Sequence, residues 1–170
     1  MTPEEVFKTA LEYENNVTEL YIEAVAGTND VAAKKFFQTM ADEEKLHVDF
    51  LEAKLAEWMN DEQLEDTELT TVVPDPEIIK KGVEALKKKM STDRTLAYGP
   101  EVAMLKKALK AEEETSNFYR NLVGTLPQEL DGIFRRFLEI EDGHRALVEA
   151  ELDAVEGNSF WFDCQEFGLE

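Results

Sequence analysis

Four long stretches of this chain repeat apolar residues at a spacing of three and four, and one glutamate interrupts each repeat at mid-length. This spacing is typical of the buried stripe of a helix in a bundle, and no stretch alternates like a β-strand. The stripes are Phe7, Ala10, Glu14, Val17, Tyr21 and Ala24; Ala33, Phe37, Met40, Glu44, His47, Leu51, Leu55 and Trp58; Leu105, Ala108, Glu112, Thr115, Tyr119 and Leu122; and Phe134, Phe137, Glu141, His144, Val148, Leu152 and Val155. A buried, unpaired carboxylate is strongly destabilising. Any fold of this chain therefore has to neutralise four carboxylates in its core.

Capping and turn residues set the limits of the four predicted helices. Thr2, Pro3 and Glu5 form a capping box at the first start, and glycines or prolines mark the end of the first helix and both limits of the third and fourth. The helices are predicted at about 2–27, 30–60, 100–124 and 127–157. The turns after the first and third helices are short, so each of these helices is expected to lie antiparallel to the next one.

The stretch 61–99 is much longer than an ordinary loop. It contains Pro74 and Pro76, followed by a lysine-rich segment at 77–90 that is predicted to form a short helix. Its length allows the chain to cross from one end of a bundle to the other. We therefore predict one all-α domain at 1–157, a four-helix bundle built from two helical hairpins joined by this long crossover.

An aromatic tail at 158–170 follows the bundle. Its rings need cover, because an exposed apolar patch of this kind promotes aggregation. We expect a homodimer with helix faces or this tail in the interface; the rings concerned are Phe160, Trp161, Phe162 and Phe167.

The charge of the chain limits its partners. Acidic residues number 38 against 18 basic ones, a net charge of −20. This balance argues against nucleic acid and against an anionic membrane, and it suits small cations. A solvated surface that keeps the protein soluble would show the same charge. The single cysteine, Cys164, excludes an intramolecular disulfide framework. The start of the chain lacks a secretory signal and no stretch is apolar enough to span a bilayer, so a cytoplasmic protein is expected.

Both histidines of the chain lie in the stripes, each three residues after a glutamate. Residues at positions i and i+3 share one helix face, so Glu44 with His47 and Glu141 with His144 can each grip an ion. A lone histidine on an apolar face is more often a core residue than a ligand. Two histidines in matched positions of matched stripes favour ligands.

Protonation, pairing with lysine or arginine, or a bound metal could neutralise the four glutamates. No lysine or arginine lies on a stripe. Bound metal neutralises all four glutamates together, because the charge of two divalent ions balances that of four carboxylates. The two neutral imidazoles add nitrogen ligands. We therefore predict one metal site formed by Glu14, Glu44, His47, Glu112, Glu141 and His144.

The sequence also contains an internal repeat. The single glutamates, and the tyrosines seven residues after them, recur 98 residues apart, and the Glu-x-x-His motifs recur 97 residues apart. One helical hairpin is thus used twice, and an approximate two-fold axis is expected through the predicted site.

These residues resemble the ferritin-like di-iron carboxylate family, close to its rubrerythrin-like branch. That family takes one glutamate from each of two helices and a Glu-x-x-His motif from each of two others. The matching segments are Glu14, Glu112, Glu44-Lys45-Leu46-His47 and Glu141-Asp142-Gly143-His144, together with Leu20-Tyr21, Phe118-Tyr119 and Ala41-Asp42-Glu43-Glu44. The resemblance implies that Tyr21 and Tyr119 donate hydrogen bonds to ligand carboxylates; core packing with a solvated hydroxyl is the alternative.

The resemblance further implies two iron ions, with manganese or zinc able to compete, and a reaction with O2 or peroxide that oxidises Fe(II) or a small reductant. A ferroxidase and a peroxide-reducing enzyme both fit. With one cysteine the chain is expected to lack the rubredoxin domain of rubrerythrins, so electrons would come from a separate donor protein or a small reductant. Thr115 and His144 bring the ligand set nearer to the bacterioferritin type, which argues against rubrerythrin-like peroxidase activity. A non-catalytic iron-binding or storage protein and a metal-free structural bundle are the alternatives.

Overall fold

The computed structural model describes residues 1–61, 63–87, 99–158 and 161. These residues form five α-helices and no strand, which confirms the predicted all-α class. The helices are α1 at Pro3–Gly27, α2 at Val31–Asp61, α3 at Pro76–Lys87, α4 at Pro100–Leu122 and α5 at Gln128–Asn158. The four long helices begin and end within two residues of their predicted limits.

The predicted capping box is present at the start of α1. The Glu5 backbone N–H donates to Thr2 Oγ1 at 3.2 Å, and the Thr2 backbone N–H donates to Glu5 Oε2 at 2.7 Å, with Pro3 as the first helical residue. Pro100 likewise occupies the first turn of α4. Both prolines suit this position because the first N–H groups of a helix have no partner within it.

The long helices pack as pairs, α1 along α2 and α4 along α5, and α1 also packs on α4. Their apolar stripes form two buried clusters. One cluster includes Phe36, Phe37 and Leu105, and the other includes Phe7 and Phe134. Along each long helix the stripe glutamate lies between residues of the first cluster and residues of the second. The four stripe glutamates are therefore enclosed by apolar packing on both sides along the helices.

The chain between α2 and α4 lies against the long helices over much of its described length. Lys54 on α2 is buried, and its Nζ donates to the Glu65 carbonyl at 2.6 Å and to Thr67 Oγ1 at 3.2 Å. Arg136 Nε on α5 donates to the Leu69 carbonyl at 3.1 Å, and α3 packs on α5. The predicted short helix at 77–90 corresponds to α3, and residues 88–98 lie outside the described part of the chain.

Trp161 is the one aromatic residue of the tail that lies within the described part of the chain. Its ring lies 5.9 Å from that of Phe36 and 5.7 Å from that of Phe37, centroid to centroid, so it packs on α2 of its own chain. Phe160, Phe162, Cys164 and Phe167 lie outside the described residues, and the homodimer stays a prediction. Within the described ranges, each helix is too short or too polar to cross a membrane.

Candidate metal centre

All six predicted ligands are buried with 0% of their surface exposed: Glu14, Glu44, His47, Glu112, Glu141 and His144. They lie within the stripes of the four long helices, at the level where the two apolar clusters meet. None of the four glutamates reaches solvent. The helical spacing of the sequence therefore predicted the burial of these four carboxylates correctly.

The two Glu-x-x-His motifs form the centre of the group. Glu44, His47, Glu141 and His144 each offer one oxygen or nitrogen atom, and these atoms all lie within 4.8 Å of one another. His144 Nδ1 on α5 lies 2.7 Å from Glu44 Oε1 on α2, and His47 Nδ1 lies 3.2 Å from Glu141 Oε1. The two imidazole rings stack with centroids 5.1 Å apart and planes 8° from parallel. The motifs of α2 and α5 thus face each other directly.

Glu14 on α1 joins this group through His47. Its Oε2 lies 3.2 Å from His47 Nδ1, which is also 3.3 Å from Glu44 Oε2 and 3.2 Å from Glu141 Oε1. Carboxylate oxygens from three helices thus surround one nitrogen that carries at most one proton. One proton can form a hydrogen bond with only some of these oxygens. The arrangement of the oxygens resembles that of ligand atoms around a cation.

The two single glutamates are each held by a tyrosine from the other half of the chain. The Tyr21 hydroxyl on α1 donates to Glu112 Oε1 on α4, and the Tyr119 hydroxyl on α4 donates to Glu14 Oε1 on α1. Both tyrosines are fully buried, so neither hydroxyl is solvated. The two hydrogen bonds occupy equivalent positions in the two halves of the chain, as the sequence repeat suggests. The role of these tyrosines beside metal ligands stays a prediction.

Several atoms of the cluster have no hydrogen-bond partner among the described residues. They are Glu44 Oε2, His47 Nε2, Glu112 Oε2, both carboxylate oxygens of Glu141, and His144 Nε2. Buried polar atoms are paired in most proteins, because an unpaired one carries its full desolvation penalty. Carboxylate and imidazole atoms are good ligands for iron, manganese and zinc. The residues present therefore fit a metal group.

Burial and mutual repulsion raise the pKa values of the two single glutamates. Burial is the main cause for Glu14, and the nearby Glu141 raises its pKa further. Burial likewise raises the pKa of Glu112, and Glu44 adds to the effect. Both carboxyl groups are therefore held toward their protonated form when no cation is bound.

The pKa values of the two histidines are raised, although burial alone would lower them. Burial lowers the pKa of His47 and of His144, but the carboxylates around them, Glu44 first, outweigh it and raise both pKa values well above the usual range. Burial raises the pKa of Glu44, and attraction to the two imidazolium rings outweighs it and lowers that pKa. Without metal, protons carry the positive charge that balances the cluster.

Glu43 is a buried residue that the stripe pattern did not identify. It is 4% exposed, and its Oε2 accepts hydrogen bonds from Thr71 Oγ1 and from the Val72 backbone N–H, the latter at 3.1 Å. The same oxygen lies 3.9 Å from His144 Nε2. One residue before Glu44, it falls off the stripe of α2. Its partners lie in the irregular crossover, whose path no helical period predicts.

Comparison with known proteins adds no assignment. No protein-family model, no curated protein and no solved structure matches the chain. The fold and the site define an all-α protein with a buried glutamate and histidine group that could hold a metal ion. Membership in the ferritin-like family stays a prediction from the six residues and their spacing.

Proposed function

We propose that this chain is a ferritin-like di-iron protein that reacts with O2 or peroxide and oxidises Fe(II) or a small reductant. In this proposal α1, α2, α4 and α5 form the four-helix bundle, and the chain between α2 and α4 is the long crossover. The observation that carries it is the group formed by Glu44, His47, Glu141 and His144. A cluster of this composition, fully buried and without cationic side chains on its stripes, is best satisfied by metal.

The geometry suggests how the side chains would share two ions. Glu44 and Glu141 each have an oxygen within 3.8 Å of Nδ1 of both imidazole rings, so they would be the candidates to be shared by both ions. Glu14 lies beside His47 and would serve one ion. Glu112 corresponds to Glu14 in the second half of the chain and would serve the other. When bound, iron would supply the electrons that reduce the oxidant.

The chain itself orients the ligands and excludes water. Each tyrosine hydroxyl holds one oxygen of a glutamate. The other oxygen of Glu14, Oε2, lies 3.2 Å from His47 Nδ1, and Glu112 Oε2 is buried without a hydrogen-bond partner among the described residues. The His47 ring packs edge-on against Phe137 at 5.4 Å between centroids, which fixes its orientation. Complete burial strengthens every charge interaction in the cluster, because little water is present to screen it.

Anaerobic titration of the metal-free protein with Fe(II), followed by O2 or hydrogen peroxide, tests the proposal. We expect saturation at two iron ions per chain, oxidation of both on adding oxidant, and repeated turnover only with an added reductant. Glu141→Gln should abolish the oxidation, because it removes a charge shared by both ions. Glu149→Gln makes the same change at an exposed site on α5 and should leave it intact.

Other results of this titration would assign the chain differently. Iron uptake that continues far beyond two ions per chain, with retained ferric mineral, would indicate the storage protein. Tight binding without oxidation by either oxidant would indicate a metal-binding structural bundle. A protein that binds no Fe(II), Mn(II) or Zn(II) would contradict the metal site itself.

A further inference from the structure

Arg145 on α5 is unusual among the arginines that the structure describes. The other three each pair with a carboxylate: Arg120 with Asp142 at 2.5 Å, Arg135 with Asp131 at 2.8 Å and Arg136 with Glu139 at 3.2 Å. Arg145 has no hydrogen bond or ion pair with any described residue, and its Nε is buried without a partner. In a chain with a net charge of −20, an unpaired and partly buried guanidinium requires an explanation.

A second unpaired donor lies beside the same cavity. Ser116 on α4 is 0% exposed, and its Oγ has no partner among the described residues. Ser116 and Arg145 both line a cavity of about 400 Å³ between α4 and α5, together with Glu113, Asn117 and Arg120. Two buried donors without acceptors therefore border one space that is large enough for a small molecule.

The charges around the cavity favour an anionic occupant. The charge of Arg120 is balanced, because its guanidinium bonds to Asp142 Oδ1 and to Asn117 Oδ1. The charge of Arg145 is not. Water could accept the two hydrogen bonds, but an anion would accept them and also compensate this charge. Glu113 is exposed, so solvent screens its repulsion of an anion.

We propose that this cavity binds a small oxyanion, a phosphate or a carboxylate, which accepts hydrogen bonds from Arg145 Nε and Ser116 Oγ. Arginine is suited to this role because its planar guanidinium matches the oxygens of both groups. Arg145 directly follows His144, so the bound anion would lie beside the helical turn that carries a predicted ligand. The anion site itself does not depend on the proposed metal chemistry.

Calorimetric titration of the metal-free protein tests the site. Chelator is present, so phosphate cannot bind to iron, and sodium phosphate and sodium acetate are compared with chloride at constant ionic strength. We expect saturable binding of one anion per chain, and Arg145→Gln should weaken it by about tenfold or more. Ser116→Ala should weaken it by a smaller factor. Arg135→Gln, with the same charge change on the same helix, should bind like the wild type.

The arms of this experiment also separate the two classes of anion. Tighter binding of phosphate indicates a tetrahedral ligand, and tighter binding of acetate indicates a carboxylate. If Arg145→Gln loses its helical circular dichroism, Arg145→Met replaces it, because methionine keeps the aliphatic stem but lacks both the charge and the N–H donors. Equal affinity in the wild type and in the folded variant of Arg145, or no saturable binding of either anion, would overturn the proposal.

Discussion

At the scale of single residues, two tyrosine hydroxyls orient the carboxylates of Glu14 and Glu112. Each carboxylate has two oxygens, and in each case the hydroxyl occupies only Oε1. The tyrosine therefore fixes the plane of the carboxylate and leaves Oε2 available. Removing a hydrogen-bond partner of this kind from a metal ligand commonly lowers the affinity for the metal by about 10- to 100-fold.

Tyr119→Phe should weaken metal binding without unfolding the protein. The substitution removes the hydroxyl that holds Glu14 and keeps the ring that stacks on Phe137. We expect affinity for Mn(II) or Fe(II) to fall by roughly 10- to 100-fold, measured by competition with a chelator of known affinity. Tyr13→Phe is the control, because Tyr13 is partly exposed and stacks on Phe118. Equal affinities in the two variants would show that the hydroxyl is dispensable.

Glu43→Gln should also lower metal affinity, through His144. The amide keeps an oxygen for Thr71 and Val72, but the negative charge 3.9 Å from His144 Nε2 is lost. A carboxylate in this position makes the imidazole a better ligand, so we expect a loss of about tenfold in the same competition assay. Glu52→Gln makes the same change at an exposed position of α2 and should have no effect. If both variants bind metal like the wild type, Glu43 serves only to anchor the crossover.

At the scale of elements, the segment between α2 and α3 packs closely on α5. Gly143, within the second Glu-x-x-His motif, passes so close to the crossover that an added Cβ would lie 3.2 Å from the Pro74 carbonyl oxygen and 3.7 Å from a Val73 methyl group. Val73 itself is buried. The glycine in this motif therefore allows the crossover to approach α5 closely, one residue before His144.

Gly132→Ala should stabilise the protein, and Gly143→Ala should stabilise it less or destabilise it. Both glycines lie in α5, where alanine is favoured over glycine by about 1 kcal/mol. At Gly132 nothing lies within 4 Å of the added Cβ, so this variant should be more stable. At Gly143 the contact with Pro74 should cancel or reverse the gain. Urea denaturation measures both, and an equal gain at the two positions would show that the crossover yields without strain.

The helical period of the sequence was sufficient to predict the four long helices and the burial of the six polar residues. Each of these residues occupies a stripe position near mid-helix, where the stripe predicts burial whatever the side chain is. Toward the end of α2 the prediction is less accurate, because the stripe residues Leu55 and Trp58 are only partly buried. The period says nothing about residues beside a stripe. Glu43 and Lys54 are buried because crossover segments at 65–67 and 71–72 cover them, and the path of an irregular segment depends on tertiary contacts.

At the scale of the whole molecule, the metal-free protein has to hold protons in its core. The raised pKa values of His47 and His144 stabilise the fold below about pH 6.5, and this stabilisation is lost as the pH rises toward the folded values. The raised pKa values of Glu14 and Glu112 act in the same direction above their usual value of 4.5. The lowered pKa of Glu44 acts in the opposite direction, but only under acidic conditions.

The melting temperature of the metal-free protein should therefore fall as the pH rises above about 6.5, while that of the metal-loaded protein should change less. Metal replaces the protons, so its binding should release them, and it should stabilise the fold by mass action. Calorimetric scans between pH 6 and 9, with chelator or with Mn(II), measure the two curves, and a pH indicator in weak buffer measures the released protons. A metal-free melting temperature that rises over this range would contradict the arrangement of charges.

The tyrosine of each hairpin donates its hydrogen bond to the glutamate of the other hairpin, so neither hairpin is complete by itself. A hairpin of α1 and α2 alone would hold Glu14 without its donor and Tyr21 without its acceptor, and the α4–α5 hairpin would be incomplete in the same way. A chain with one such hairpin could build this cluster only by pairing with a second copy. In the single chain, a substitution at either tyrosine acts on a glutamate of the other half, so neither half can change these residues independently.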